Sequence, residues 1–302
     1  MSQVKGIIPS IATPFAENGS VDYDSFQNLV KTLIHGGCHG VSIFGIAGEY
    51  YKLSQEECDK LAKITVDESR KLNGISIISV TQHSTEEAVR RAKYYEETGA
   101  DMLNIIPPFF LKPGAEALYQ HIKAIGQAVK IPVMVQYAPE LTGITISPAD
   151  FSHLSIEVPN ISCYKIECKF IGAYISSLLK ETENKVNVFI GNGGLQFIEG
   201  FDRGAVGVIP CAGMFDIYLM VYKEYISGNR EKAQMIHNQY ILPMLNHILQ
   251  DIEMVIAYEK RILKKRGIIT SDYCRSPTFN GDIFYDRLFE EQYEKIAAVF
   301  RQ

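Results

Sequence analysis

Residues 75–106 decide the fold. Ile75-Ser76-Ile77-Ile78-Ser79-Val80 is followed by Ser84-Thr85-Glu86-Glu87 and a helical pattern that stops at Gly99. Met102-Leu103-Asn104-Ile105-Ile106 then runs up against Pro107-Pro108. The first and last runs have the length and apolar character of buried strands. Ser84 and Glu87 have the spacing of a capping box, in which each side chain satisfies an orphan amide of the helix start. Glycine suits the far end, because the chain leaves a helix through a left-handed turn. The stretch is therefore strand, helix, strand, the unit of a parallel sheet.

Working outward, the unit recurs. Toward the N-terminus, residues 41–44 form a strand, and a second capping box, Ser54 with Glu57, opens the helix after it. Before these come a strand at 6–12, ended by Pro14, and a helix from about Asp22. Phe26, Leu29, Val30 and Leu33 line one face of that helix, and Gly36-Gly37 stops it. Toward the C-terminus, a helix over 115–129 precedes a strand at 132–136. Ser147-Pro148 puts proline in a first helical turn, where its missing amide costs nothing. Strands follow at 161–167, 187–190 and 205–210. Eight strands, each followed by a helix, indicate a (β/α)₈ TIM barrel over residues 1–225. The remainder, 226–302, reads as a C-terminal helical extension packed on it, with breaks near Gly228, Gly267 and Pro277.

Composition narrows the function classes. The chain has 302 residues, 46% hydrophobic and 22% charged, with a formal net charge of −5. Its basic residues are dispersed, which argues against nucleic acid and anionic membranes as partners. No apolar run reaches membrane-spanning length, and no signal-peptide core follows Met1. The six cysteines are scattered, as free thiols of a reducing cytoplasm would be. Among the histidines only His35 and His39 have ligand-like spacing, and Gly36-Gly37 between them breaks the helix that would align them. No metal is expected.

The sixth strand holds the most unusual residue, in Ile161-Ser162-Cys163-Tyr164-Lys165-Ile166-Glu167. Alternation points Lys165 and Glu167 to one face. An inward lysine is costly as an unpaired ammonium, and its amine is suited to forming a Schiff base with a carbonyl. Barrel active sites lie at the C-terminal strand ends. Lys165, Gln136 at the end of strand five, residues 45–49 after strand two and Gly191 after strand seven all fall there.

These residues follow the order of a known family. Gly6-Ile7-Ile8-Pro9-Ser10-Ile11-Ala12-Thr13-Pro14-Phe15, Gly45-Ile46-Ala47-Gly48-Glu49, Pro108-Phe109-Phe110 and Lys165 together resemble the dihydrodipicolinate synthase and N-acetylneuraminate lyase family from end to end. The resemblance implies a Schiff base between Lys165 and pyruvate or another 2-keto acid, a homotetramer, and no metal or organic cofactor. It also implies substrate contacts at Ile46, Ala47, Gly48, Phe109, Gly191 and Ile209. Two threonines of the synthases are replaced by Ile46 and Ala47, and a relay tyrosine of the strand-four loop by the Phe109-Phe110 pair. Gln136 stands where a second tyrosine ends strand five, and Leu141 where an arginine holds an acidic substrate. A methyl or phenyl group passes no proton, so lysine biosynthesis is not expected.

Gln136-x-Ala138-Pro139 with Lys165-x-Glu167 is most similar to the 2-keto-3-deoxyarabonate dehydratase subgroup. The expected reaction is dehydration of a 2-keto-3-deoxy sugar acid to a semialdehyde, with Lys165 as imine former, Glu167 as base or acid and Gln136 orienting the substrate. A pyruvate-dependent aldolase or retro-aldol lyase on the same lysine is the second reading, and a keto-acid-binding protein without turnover the third. Tyr137 points away from the Gln136 face and is expected to pack. Glu49 is expected to brace its loop.

Overall fold

The computed structural model describes residues 4–300. Eight strands form one sheet: β1 Gly6–Ile7, β2 Gly40–Ile43, β3 Ile75–Val80, β4 Met102–Ile105, β5 Val133–Tyr137, β6 Ile161–Ile166, β7 Asn187–Ile190 and β8 Gly207–Val208. Their order in the sheet is β1-β8-β7-β6-β5-β4-β3-β2, and helices separate them in the chain. The fold is a nearly closed (β/α)₈ TIM barrel with helices after β8, the last at Ile283–Ala297. β3 and β7 have the limits expected from sequence. β1 and β8 are shorter than expected, because Pro9 has no amide to donate and Pro210 breaks the ladder in the same way. No helix among the described residues is long and apolar enough to cross a membrane.

The chain divides into two compact units. The first comprises residues up to Gly6 and Ile75–Ile209 and contains β3 to β8. Each strand in it pairs in parallel with its sequence neighbour; Gln136 stands beside Lys165, and Lys165 beside Phe189. On one face of the strands, apolar Ile77, Met102, Met134 and Cys163 lie two positions before Ser79, Asn104, Gln136 and Lys165. All eight are buried. A polar layer therefore rests on an apolar one, nearer the C-terminal strand ends. The opposite face of β6 packs outward, where Tyr164 Oη donates to the Phe151 carbonyl at 2.8 Å and meets Ser155 Oγ at 2.6 Å. In this unit, Ser84 Oγ accepts from the Glu87 amide and Gly99 ends the helix with φ 100°. The Glu87 carboxylate pairs with Arg90.

The second unit comprises Ile7–Gly74 and Pro210–Gln302. Ser10 forms parallel bridges to Ser42 of β2 and to Cys211. His39 Nδ1 accepts from the Ile7 amide at 3.1 Å, which ties its ring to the strand end. The reciprocal box of Ser54 and Glu57 opens the helix Gln55–Lys71. A two-pronged contact from Arg275 to Glu57, at 2.5 and 2.8 Å, fastens the C-terminal segment to that helix start.

Candidate active site

Lys165 is the last but one residue of β6, and only 7% of it is exposed. Glu167 lies just past the strand, where its amide donates to the Tyr137 carbonyl at 2.8 Å. This bond continues the β5–β6 ladder by one residue and keeps Glu167 on the face of Lys165. Lys165 Nζ stands 3.0 Å from Glu167 Oε1. The carboxylate collects two further donors: the Asn192 amide at 2.9 Å on Oε1 and Gln136 Nε2 at 2.6 Å on Oε2. Three donors thus hold one half-buried carboxylate, as partial burial of an anion requires.

Gly191 makes room for this arrangement. A Cβ on Gly191 would sit 2.1 Å from Glu167 Oε1 and 2.4 Å from its Cδ, so any side chain there would displace the carboxylate. The requirement is close approach rather than unusual backbone, since Gly191 has φ −100°.

Two members of this cluster did not stand out in the sequence. Asn104 Nδ2 donates to Gln136 Oε1 and to Ser79 Oγ, each at 3.1 Å. Ser79, Asn104, Gln136, Glu167 and Lys165 therefore form one continuous polar chain from β3 to β6. The available signal was a polar residue within each of two otherwise apolar runs, Ser79 in Ile77-Ile78-Ser79-Val80 and Asn104 in Met102-Leu103-Asn104-Ile105. The pairing register places both on the face of Gln136 and Lys165.

Among the other residues expected at the site, Phe109 is half-buried, with its ring 5.4 Å from that of His83. Ile209 is buried and donates its amide to Ile190 at 2.9 Å. Phe110 next to Phe109 is 80% exposed. Tyr137 faces away from Gln136, stacked on Tyr174 at 4.6 Å and edge-on to Phe151 at 5.8 Å. Burial raises its phenol above the usual value.

Ile46, Ala47 and Gly48 belong to the second unit, where they form a single 3₁₀ turn after β2. The Gly48 and Glu49 amides close the turn onto Gly45 and Ile46 carbonyls, at 2.8 and 3.2 Å, and Thr13 Oγ1 donates to the Gly48 carbonyl at 2.8 Å. The amides of Ile46 and Ala47 stand at its open start, where a helical turn has no internal acceptor. Glu49 is fully buried with φ 56° and is held by Lys52 at 3.1 Å and by Lys260. Its carboxylate braces the turn.

Comparison with known proteins gives a consistent picture. Residues 3–287 match the model of the dihydrodipicolinate synthetase family. The chain is 30% identical over 300 residues to a 4-hydroxy-tetrahydrodipicolinate synthase of Syntrophus aciditrophicus, covering 98% of this chain and 97% of that one. It is 32% identical over 301 residues to that of Archaeoglobus fulgidus, with the same coverage. Among solved structures, a putative dihydrodipicolinate synthetase from Pseudomonas aeruginosa superposes with a TM-score of 0.90 at 27% identity, covering 98% of this chain and 100% of that one. A prophage protein of the same family from E. coli K12, solved in complex with pyruvate, gives 0.88 at 21% identity over 97% and 98% of the two chains, a likeness of fold.

Proposed function

Because the chain belongs to the dihydrodipicolinate synthetase family, and is therefore an enzyme of lyase type, we propose that it dehydrates a 2-keto-3-deoxy sugar acid through a Schiff base on Lys165. The observation that carries this reading is the 3.0 Å contact between Lys165 Nζ and a Glu167 carboxylate that is also held by Gln136 and Asn192. The Lys165 amine adds to the substrate ketone, and loss of water leaves the protonated imine. That imine is an electron sink which acidifies the adjacent C3. Glu167 removes a C3 proton, and the electron pair moves toward the imine nitrogen. Its return expels the C4 hydroxyl, which takes the proton from Glu167 and departs as water. Tautomerisation of the remaining skeleton and hydrolysis of the imine release the semialdehyde and restore the amine.

One carboxylate thus serves both proton transfers. A synthase or aldolase reaction of this family uses a hydroxyl-bearing relay, and the resemblance puts one residue of the Ile46-Ala47 pair, Phe109 and Gln136 at its positions. None of these side chains exchanges a proton at neutral pH. Gln136 orients the substrate through its amide. Phe109, Gly191 and Ile209 line the remainder.

Borohydride reduction with a panel of 2-keto acids, followed by peptide mass spectrometry, tests the imine. The expected adduct falls on the peptide containing Lys165, and an adduct on another lysine, or none at all, overturns the reading. Product analysis separates the two chemistries. A semialdehyde supports dehydration, whereas pyruvate released without semialdehyde assigns the chain to the retro-aldol class.

A further inference from the structure

The polar chain at the site runs in one direction. Glu167 Oε2 accepts from Gln136 Nε2, so the Gln136 carbonyl oxygen points to Asn104. That oxygen accepts from Asn104 Nδ2, which also donates to Ser79 Oγ. An amide can lie either way round, and the two ways have opposite consequences. Turned over, Gln136 would set its own oxygen 2.6 Å from Glu167 Oε2, acceptor against acceptor, and its amino group against that of Asn104.

Asn104 carries a sign of being held in this sense. Its Oδ1 is buried and has no hydrogen-bond partner, so the side chain is not oriented by its own best satisfaction. Buried polar atoms without partners are rare and call for an explanation. Here the two N–H groups of Asn104 are both committed to acceptors, and the bare oxygen is what that orientation leaves over.

We propose that Asn104 is a positioning residue: it fixes which way round the Gln136 amide lies, so that Gln136 offers Glu167 an N–H and never its carbonyl. Asn104 acts on the reaction only through Gln136. The inference rests on the reading of Glu167 as the base that acts on a Lys165 imine. Of the groups that meet Glu167, Lys165 comes from β6 and Gln136 from β5, while the loop after β7 contributes backbone. When Lys165 is consumed in the imine, its Nζ keeps one N–H in place of three, and Gln136 carries more of the hold on the carboxylate. The direction of its amide then decides whether the carboxylate stays in place over C3.

Pyruvate, a small 2-keto acid with exchangeable C3 protons, is the probe. Two quantities are read for the whole protein: the Lys165 adduct trapped by borohydride, and deuterium uptake at C3 by NMR in heavy water. Asn104→Leu is expected to slow deuterium uptake about ten- to a hundredfold, the scale of a misplaced catalytic group, while the trapped adduct is unchanged. Gln136→Met should slow uptake by itself. Adding Asn104→Leu to Gln136→Met should then cause no further loss, since the residue through which Asn104 acts is already gone. Ser79→Ala, which removes only the second anchor of Asn104, should give a smaller loss of the same kind and serves if Asn104→Leu does not fold.

Additive losses in the double variant, or adduct and exchange falling together, overturn the proposal and leave Asn104 a packing residue. Unchanged exchange in both Asn104→Leu and Ser79→Ala does the same. Failure of the underlying reading looks different: the unsubstituted protein then gives neither adduct nor exchange, and the proposal falls with it.

Discussion

Glu167 has both oxygens occupied and a glycine beneath it, so its position is over-determined by its neighbours. Two substitutions separate its chemistry from its placement. Glu167→Gln keeps the shape and removes the base; turnover should fall about a hundred- to ten-thousandfold, with the Lys165 adduct still trappable. Gly191→Ala keeps the base and pushes it aside, because the new methyl would lie 2.1 Å from Glu167 Oε1. It should also abolish most turnover while sparing the adduct. Near-normal kinetics in Gly191→Ala would show that the carboxylate can work from elsewhere. Lys165 and Glu167 were legible in the sequence because strand alternation puts them on one face, and Gln136 because it ends strand five and stands at a position that the family resemblance marks. Asn104 was not, because its bond to Gln136 depends on the stagger between β4 and β5, and period-two alternation says nothing about stagger.

Helix starts were read from side-chain spacing, and here element-scale physics is direct. Ser54 accepts from the Glu57 amide and Glu57 returns the bond, so Ser54→Ala should destabilise the protein by about 1 kcal/mol. A chemical denaturation midpoint that does not move would count against the box. Strand ends were harder to read. Phe44 adopts φ 60° directly after β2, and prolines interrupt the ladders of β1 and β8, so apolar runs overstate those strands. In the helix Ile252–Lys265, Glu259 is buried and accepts from the Gly213 amide at 2.6 Å. Burial pushes its carboxyl up to about 7, against the lowering effect of the Gly213 and Ala212 amides and Arg266. Between the ordinary value of 4.5 and about 7 the folded protein therefore keeps a proton that the unfolded chain has released. Stability from this group is full below 4.5, falls as pH rises through that window by roughly 3 kcal/mol, and is level above it. Glu259→Gln should flatten this part of the pH–stability curve, measured by thermal unfolding at pH 5 and pH 8. An unaltered slope would place the titration elsewhere.

At the scale of the whole molecule, Phe110 and Leu111 are 80% and 85% exposed on the segment after β4. Adjacent exposed apolar side chains of this size are a common mark of a contact surface. A tetramer by light scattering at micromolar concentration is the expected state, and Phe110→Asp should lower the assembly. A monomeric unsubstituted protein would remove this expectation.

The division of the chain into units also bears on how the protein is made. The five linked side chains from Ser79 to Glu167, and the Asn192 amide that meets them, come from consecutive strands of one nearly continuous stretch. A ribosome has delivered all of them before it reaches Pro210. The other unit is joined across the termini by pairs such as Glu49 with Lys260 and Gly19 with Arg275, 211 and 256 positions apart. Closing such long loops is the slow part of folding. During translation the N-terminal seventy or so residues must therefore wait, incompletely packed, for the last helices to emerge, and that interval is when a chaperone would find most to hold.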